Sequence, residues 1–167
     1  LQSMNSRLFT IGGLNHYKNH EVIIKALPHL DGFILDIYGE GPLEQYLRQL
    51  SINLGVSDRV NFQGYLDNDL IWFSGIYIHS SVSEGFGNAA CEALGNGSKF
   101  LLSDIKVNRE LFAYQSSVFF NPHDEMDLVQ KIGSALCLNS EDLAFHRKNY
   151  SLSAFITKWK DLIQKEK

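Results

Sequence analysis

The sequence predicts an α/β fold in which a doubly wound parallel sheet of about six strands is flanked by helices. Short apolar runs alternate with segments of helical spacing along the whole chain, which is typical of strand–helix units that bring their strands together in parallel. The composition agrees, since 44% hydrophobic and 20% charged residues are ordinary for a globular domain. A length of 167 residues supports one domain with its own core and is short for two.

The N-terminal part contains two strand–helix units. Residues 7–12 (RLFTIG) are an apolar run that ends in a Gly-Gly turn, as a strand entering a loop does. Residues 20–30 carry apolar side chains at helical spacing, with a proline near the end that shortens or kinks the helix. Residues 32–38 (GFILDIY) form the second predicted strand. Residues 43–54 form the next helix, which ends at Gly55.

The middle of the chain contains two further strands. Residues 60–64 form a short strand, and a helix over residues 67–73 is predicted because an aspartate at its first position can cap it. Residues 76–80 (IYIHS) form a strand. Residues 81–87 form the loop that leads into a helix over residues 88–95.

The C-terminal part completes the pattern. Residues 99–103 and 118–121 are predicted strands, residues 108–113 a helix, and the tail from Asp124 is helical in pieces. The whole is a Rossmann-like arrangement, in which ligands bind outside the carboxyl ends of the strands. The loops at those ends are residues 12–18, 39–42, 64–67, 80–88 and 103–107.

The segment over residues 81–97 carries the strongest functional signal. Two glycines flank Phe86 and allow the backbone to approach a ligand closely. The amides that follow lie at the predicted start of a helix, where free N–H groups and the helix dipole favour phosphate. The amides expected at this anion site are those of Gly87, Asn88 and Ala89.

Two glutamates bracket that anion site. Glu84 precedes it in the loop, and Glu92 lies about 6 Å along the helix axis from Asn88 at 1.5 Å per residue. Carboxylates accept paired hydrogen bonds from vicinal sugar hydroxyls, so one suits a sugar and the other a ribose. The spacing alone is a weak motif, and the surrounding glycines, helix start and strands make it specific.

The segment resembles the donor-site signature of the family 4 retaining glycosyltransferases (glycosyl transferases group 1), which lies on the C-terminal domain of a GT-B fold. The resemblance covers nearly the whole chain. The motifs that carry it are Ser81-x-x-Glu84-Gly85-Phe86-Gly87 with Glu92-Ala93-Leu94 and Gly97, Gly12-x-Leu14-x-x-x-Lys18-Asn19, Gly39-x-Gly41-Pro42, Val60-x-Phe62-x-Gly64, and Asn149-Tyr150-Ser151 followed by a helix with Phe155, Trp159 and Leu162.

The resemblance implies a role for each matching position. Glu84 and Lys18 would be the catalytic pair, with Glu84 on the donor sugar's hydroxyls and Lys18 on the diphosphate. The amides of Gly85, Phe86, Gly87 and Asn88 would help Glu84 to bind the donor sugar. Glu92 would hold the ribose, and Leu66 or its neighbours would meet the base. Gly12, Gly13, Gly39 and Gly41 would line the donor pocket. The resemblance implies no cofactor besides the nucleotide-sugar co-substrate, and no metal in this domain.

The sequence departs from the family pattern at two places. Gly13 stands where the family usually has an arginine, so one cation expected on the leaving diphosphate is missing. Three alternatives follow: Lys18 alone neutralises the diphosphate, His16 takes the place of the arginine, or the activity is weak. The family's proline after Gly97 is also absent, which affects a turn rather than the chemistry. A non-catalytic, decayed nucleotide-sugar-binding module is therefore one alternative, and another GT-B enzyme (a phosphorylase or a nucleotide-sugar epimerase) is a second.

Other signals are weaker. His16 and His20 are four residues apart, but no further ligand motif accompanies them, so we expect no metal site. We interpret His79 and the remaining histidines as ordinary polar or half-buried residues. Cys91 is expected to pack as a small apolar group. The net charge of −4 argues against a general nucleic-acid binder.

The domain and cellular context are expectations. We expect residues 1–4 to be the remnant of a cleaved tag and residues 5–167 to be the donor-binding half, without its N-terminal acceptor domain. Two cysteines and no long apolar run favour a cytoplasmic protein. Peripheral association with the inner face of a membrane through the full-length protein stays open. The expected partners are a nucleotide-sugar, the acceptor domain, and a glycan or lipid-linked acceptor.

Overall fold

A computed structural model describes residues 6–65, 75–85, 89–90, 99–112 and 118–136. Its strands are β1 (Ser6–Ile11), β2 (Phe33–Tyr38), β3 (Val60–Gly64), β4 (Ile76–His79), β5 (Lys99–Ser103) and β6 (Phe119–Phe120). They form one six-stranded sheet in the order β3-β2-β1-β4-β5-β6, with every neighbouring pair parallel. The predicted doubly wound sheet is confirmed, and each strand end lies within one residue of its predicted position.

The strand order places a topological switch between β1 and β4. The chain moves outward from β1 through β2 to β3 and then returns to the other side of β1, where Leu8 is in register with Leu35 of β2 and Ile76 of β4. Loops that leave β1 and β4 therefore diverge to opposite faces and open a crevice at their carboxyl ends. This is where ligands bind in open α/β sheets.

The helices lie mainly where periodicity predicts them. They are α1 (His20–Ala26), α2 (Glu44–Asn53), α3 (Lys106–Phe112) and α4 (Glu125–Leu136). A 3-10 turn over Leu27–His29 continues α1 because Pro28 cannot extend the α-helical hydrogen bonds. Gly55 ends α2 with a φ of 68°, in the left-handed region that glycine adopts without cost. Within the described part of the chain, no helix is long and apolar enough to span a membrane.

Some predicted elements fall outside the described residues. These are the helix at 67–73, all of the 88–95 helix except residues 89 and 90, which are helical, and the tail beyond residue 136. α3 begins two residues earlier than predicted, at Lys106.

Alternating strand residues supply two apolar clusters, one on each face of the sheet. Leu8 belongs to the larger cluster, where it joins Ile23 of α1, Leu47 of α2 and Leu128 of α4. The next residue in the strand belongs to the other cluster, because successive side chains point to opposite faces. That second cluster contains Phe9, Tyr77, Ala90, Phe100, Leu102, Val118 and Phe119. The two clusters pack against opposite faces of β1 and β4 and so fix the strand ends at which the crevice opens.

Gly39 lies at the closest approach of the β1 and β2 loops, and replacing it should destabilise the fold. A Cβ at this position would lie 2.0 Å from the carbonyl oxygen of Gly12, and its φ of +140° disfavours any side chain. Gly39→Ala is expected to lower the free energy of unfolding by at least about 2 kcal/mol. Urea unfolding measures this loss. The control is Gly133→Ala in α4, where a Cβ meets nothing within 4 Å and stability should hold or rise by about 0.5–1 kcal/mol. Equal stability of the two variants would contradict the clash.

Candidate functional site

Lys18 and Glu84 meet at the topological switch. Lys18 lies in the loop after β1 and Glu84 in the loop after β4, 66 residues further along the chain. Lys18 Nζ donates a hydrogen bond to Glu84 Oε1 and forms an ion pair with it. Both side chains are largely shielded, with 26% of Lys18 and 12% of Glu84 exposed. The structure thus brings together the two residues that the sequence singled out as the catalytic pair.

Two further donors hold the Glu84 carboxylate. His79 Nε2 lies 3.1 Å from Glu84 Oε1, and Ser81 Oγ donates to the same oxygen at 2.8 Å. The hydrogen bond to His79, reinforced by Lys18 and Ser81 against the opposing effect of partial burial, lowers the pKa of Glu84 to about 2. The residue is therefore a carboxylate at neutral pH and can accept hydrogen bonds only.

Hydrogen bonds tie the two loops to each other. Ser80 Oγ donates to the carbonyl oxygen of Lys18 at 2.7 Å, and the amide of Val82 donates to the carbonyl of Tyr17 at 2.9 Å. The Lys18 amide donates to Asn15 Oδ1 at 3.1 Å, which closes the first loop on itself. The Lys18–Glu84 pair therefore rests on a cross-linked backbone, and its geometry does not depend on the ion pair alone.

The four glycines predicted to line the donor pocket lie in two touching loops. The Gly12 amide donates to the carbonyl of Tyr38 at 2.9 Å, next to Gly39. A Cβ on Gly41 would lie 2.5 Å from the carbonyl oxygen of Leu14. The Lys18 side chain crosses Gly12, where a Cβ would meet Lys18 Cδ at 3.1 Å. Because these positions are glycines, the floor of the crevice is formed by backbone groups and by the Lys18 side chain.

The remaining predicted residues divide into two groups. Gly85 is exposed beside Glu84, and Ala89 is partly buried at a helical position. The second group lies outside the described residues and contains Leu66, Phe86, Gly87, Asn88, Glu92 and Cys91. The roles predicted for these residues stay predictions.

His20 is a buried core histidine at the start of α1. Its side chain is buried, and its Nδ1 lies 3.4 Å from Thr10 Oγ1. His16 is exposed in the loop. Among the residues that the structure describes, no group of three His, Cys, Asp or Glu side chains could hold a metal ion.

Burial of His20 should make the fold sensitive to acid. Loss of hydration lowers its pKa to about 4, from an ordinary value of 6.5. Between pH 6.5 and 4 the unfolded chain therefore binds more protons than the folded one. The free energy of unfolding is at its full value above pH 6.5 and decreases by up to about 3 kcal/mol as the pH is lowered towards 4. Urea unfolding at several pH values measures this slope. His20→Gln should flatten it, whereas His29→Gln at an exposed position should not. A slope that persisted in His20→Gln would contradict the assignment.

His79 is the residue that the sequence interpretation missed. The sequence predicts an ordinary polar histidine here, yet the side chain is only 3% exposed and contacts Glu84 directly. Asn108 of α3 lies on its other side, with Nδ2 3.3 Å from His79 Nδ1. The only local signal is that the histidine ends a strand five residues before Glu84. Its buried contact depends on the fold around it.

Comparison with known proteins decides the family. Residues 2–151 match the family described as glycosyl transferases group 1. The chain belongs to that family. This confirms the resemblance seen in the donor-site motifs, and the glycosyl transferases group 1 assignment covers both Lys18 and Glu84.

Curated relatives agree with the assignment. The chain is 28% identical to protein CapJ of Staphylococcus aureus over 147 residues, which are 81% of this chain and 37% of that protein. It is 30% identical over 158 residues to a UDP-N-acetylglucosamine–peptide N-acetylglucosaminyltransferase GtfA subunit of Limosilactobacillus reuteri, covering 86% of this chain and 31% of that protein. The chain spans about a third of the length of these relatives.

Solved structures share the fold. The catalytic domain of cholesterol-alpha-glucosyltransferase from Helicobacter pylori superposes with a TM-score of 0.73 at 24% identity, covering 90% of this chain and 98% of that one. The pneumococcal O-GlcNAc transferase GtfA, in complex with UDP and GlcNAc, gives a TM-score of 0.72 at 22% identity, covering 97% of this chain and 36% of that one. At these identities the similarity establishes the fold of this group 1 chain.

Proposed function

We propose that the chain is the nucleotide-sugar-binding, C-terminal half of a GT-B glycosyltransferase. In this proposal the full-length enzyme transfers a sugar with retention of configuration to a glycan or lipid-linked acceptor. The observation that carries the proposal is the Lys18–Glu84 pair at the switch point, where a cation and a carboxylate face the same crevice. A nucleotide-sugar presents matching groups, a diphosphate and sugar hydroxyls.

Binding would exchange the partners of the pair. The diphosphate replaces Glu84 as the anion on Lys18, and the carboxylate that is released accepts hydrogen bonds from sugar hydroxyls. Charge accumulates on the diphosphate as the bond to the sugar breaks, and Lys18 stabilises it in a site shielded from water. Glu84 remains oriented during the exchange, because His79 and Ser81 still contact it.

A thermal-shift panel tests the binding half of the proposal. The panel contains UDP, GDP, UDP-glucose, UDP-N-acetylglucosamine and GDP-mannose, and the GtfA relatives make UDP-N-acetylglucosamine the first choice. A ligand that binds only the folded state adds about 2.7 kcal/mol at 100 times its Kd. We expect at least one nucleotide-sugar to raise Tm, and no shift with any of them would overturn the proposal.

Transfer itself would need both halves. The acceptor and the donor meet between two domains in a GT-B enzyme, so we expect this 167-residue chain to bind donor and transfer little alone. Robust transfer by the chain alone would contradict this. We also propose that membrane contact, if the acceptor is lipid-linked, belongs to the full-length protein.

Gly13 supports the alternative that the chain is a decayed binding module. The Gly13→Arg variant distinguishes this alternative from an active donor domain. A Cβ at this position would meet Asn15 Nδ2 at 3.3 Å, so the Asn15 side chain must shift by a few tenths of an ångström, and it would meet the Glu40 carbonyl at an ordinary 3.6 Å. The φ of Gly13 lies outside the positive range. A guanidinium beside Lys18 should tighten UDP binding about tenfold through a charge-assisted phosphate contact, as calorimetry would measure. A matching large rise in turnover of the full-length enzyme would favour decay. Unchanged turnover would show that another group already stabilises the charge on the leaving diphosphate.

A further inference from the structure

Three hydrogen-bond donors converge on a single oxygen of Glu84. Lys18 Nζ, His79 Nε2 and Ser81 Oγ all contact Oε1. In the described part of the chain, Oε2 receives no hydrogen bond. The two oxygens are therefore inequivalent. Oε1 anchors the side chain to the protein, and among the contacts of the described residues Oε2 is the oxygen left for a ligand hydroxyl.

The three donors differ in how firmly they hold Oε1. Under the proposed function, Lys18 turns to the diphosphate when a donor binds. Ser81 Oγ is a hydroxyl whose hydrogen can rotate to another acceptor. His79 has neither freedom, because its ring is buried at the end of β4 and contacts Asn108 on the opposite edge. His79 is thus the anchor that persists once the site is filled.

Asn108 and Glu84 together determine which nitrogen of His79 carries the hydrogen. Asn108 Nδ2 donates to the carbonyl oxygen of Ser103 at 2.8 Å. A carbonyl accepts only, so the amide nitrogen, rather than the amide oxygen, must face Ser103 and His79 Nδ1. Nδ1 then accepts a hydrogen bond, and the hydrogen of the neutral ring lies on Nε2, where it donates to Glu84 Oε1. Ser103 is itself fixed, since its Oγ donates to the Ser81 carbonyl at 2.5 Å.

We propose that His79 and Asn108 are positioning residues for the donor sugar. Asn108 and the Glu84 carboxylate together favour the Nε2–H tautomer of His79, and that N–H holds Glu84 with Oε2 turned to the sugar hydroxyls after Lys18 has moved to the diphosphate. The role in sugar binding rests on the proposed function. The tautomer and the state of Glu84 belong to the ligand-free chain and do not.

NMR of the ligand-free chain provides the first test. Nitrogen-15 shifts of the His79 ring should report an Nε2–H tautomer. Asn108→Leu should lower the population of that tautomer without inverting it, because the Glu84 carboxylate still faces Nε2. Carbon-13 titration of the Glu84 carboxyl should place its pKa near 2 in the wild-type protein. His79→Leu should raise that pKa by about one pH unit or more, and His79→Gln, whose amide can still donate, should restore much of the difference. An Nδ1–H tautomer in the wild-type chain, or a Glu84 pKa that His79→Leu leaves unchanged, would overturn the proposal.

Calorimetry with UDP and UDP-N-acetylglucosamine provides the second test. His79→Leu should weaken UDP-N-acetylglucosamine about tenfold and leave UDP within about twofold, while His79→Gln stays near the wild-type values. Equal losses for both ligands would overturn the positioning role. If His79→Leu fails to fold, the wild-type tautomer, Asn108→Leu and His79→Gln still decide. If the wild-type chain binds no nucleotide-sugar, the proposed function fails while the NMR result stands by itself.

Discussion

Lys18→Ala should weaken UDP binding at least about tenfold. Among the residues that the structure describes, Lys18 is a cation that faces the crevice between the β1 and β4 loops. A charge-assisted contact with phosphate contributes about 1.5–3 kcal/mol to binding. Part of that gain is offset, because Lys18 must first leave Glu84 Oε1. Gly13 adds no second charge in its neighbourhood. Titration calorimetry with UDP measures the loss directly.

A second lysine gives the matched control. Lys25 of α1 also forms an ion pair, with Glu21 at 2.9 Å, but it lies on the helix and is 40% exposed. Lys25→Ala removes the same charge from the chain and should leave the UDP affinity within about twofold, since exposed pairs contribute about 0–1 kcal/mol. An affinity of Lys18→Ala within twofold of wild type would mean that the diphosphate binds elsewhere.

Glu84→Gln should reduce sugar transfer by the full-length enzyme about a hundredfold or more. The amide keeps the shape of the side chain but removes the charge, and it replaces one acceptor oxygen by a donor that cannot take a hydrogen bond from a sugar hydroxyl. The same change frees Lys18 from its ion pair. UDP should therefore bind equally well or more tightly, while the additional affinity for UDP-N-acetylglucosamine is lost. Opposite effects on the two ligands distinguish this role from general damage.

The control for this variant is Glu44→Gln. Glu44 pairs with Arg48 at 2.7 Å on the exposed surface of α2. Transfer by Glu44→Gln should stay near the wild-type rate. Transfer by Glu84→Gln within threefold of wild type, or a parallel loss of UDP and UDP-N-acetylglucosamine affinity, would remove Glu84 from the sugar site.

The fold was predictable because its signals are local. Apolar runs such as residues 32–38 and the helical spacing of residues 43–54 are read within a single window of sequence, and strand ends came out within one residue. Glycine at the end of α2 was predictable for the same reason, since a left-handed residue is needed there whatever the rest of the chain does. The motif at residues 81–97 indicated the crevice because strand, glycines and carboxylate follow each other directly.

The contacts that give the site its chemistry were decided by tertiary structure. Lys18 and Glu84 were identified separately, but their pairing across 66 residues depends on β1 and β4 being neighbours, which no local pattern specifies. His79 and Asn108 carry even less local signal, as one ends a strand and the other lies in a short helix 29 residues later. Their importance arises from burial and from hydrogen-bond direction, and both exist only once the sheet is assembled. By itself, the sequence determined the sheet, the crevice and the two charged residues. Only the folded chain determined that Lys18, His79 and Ser81 hold the same oxygen of Glu84.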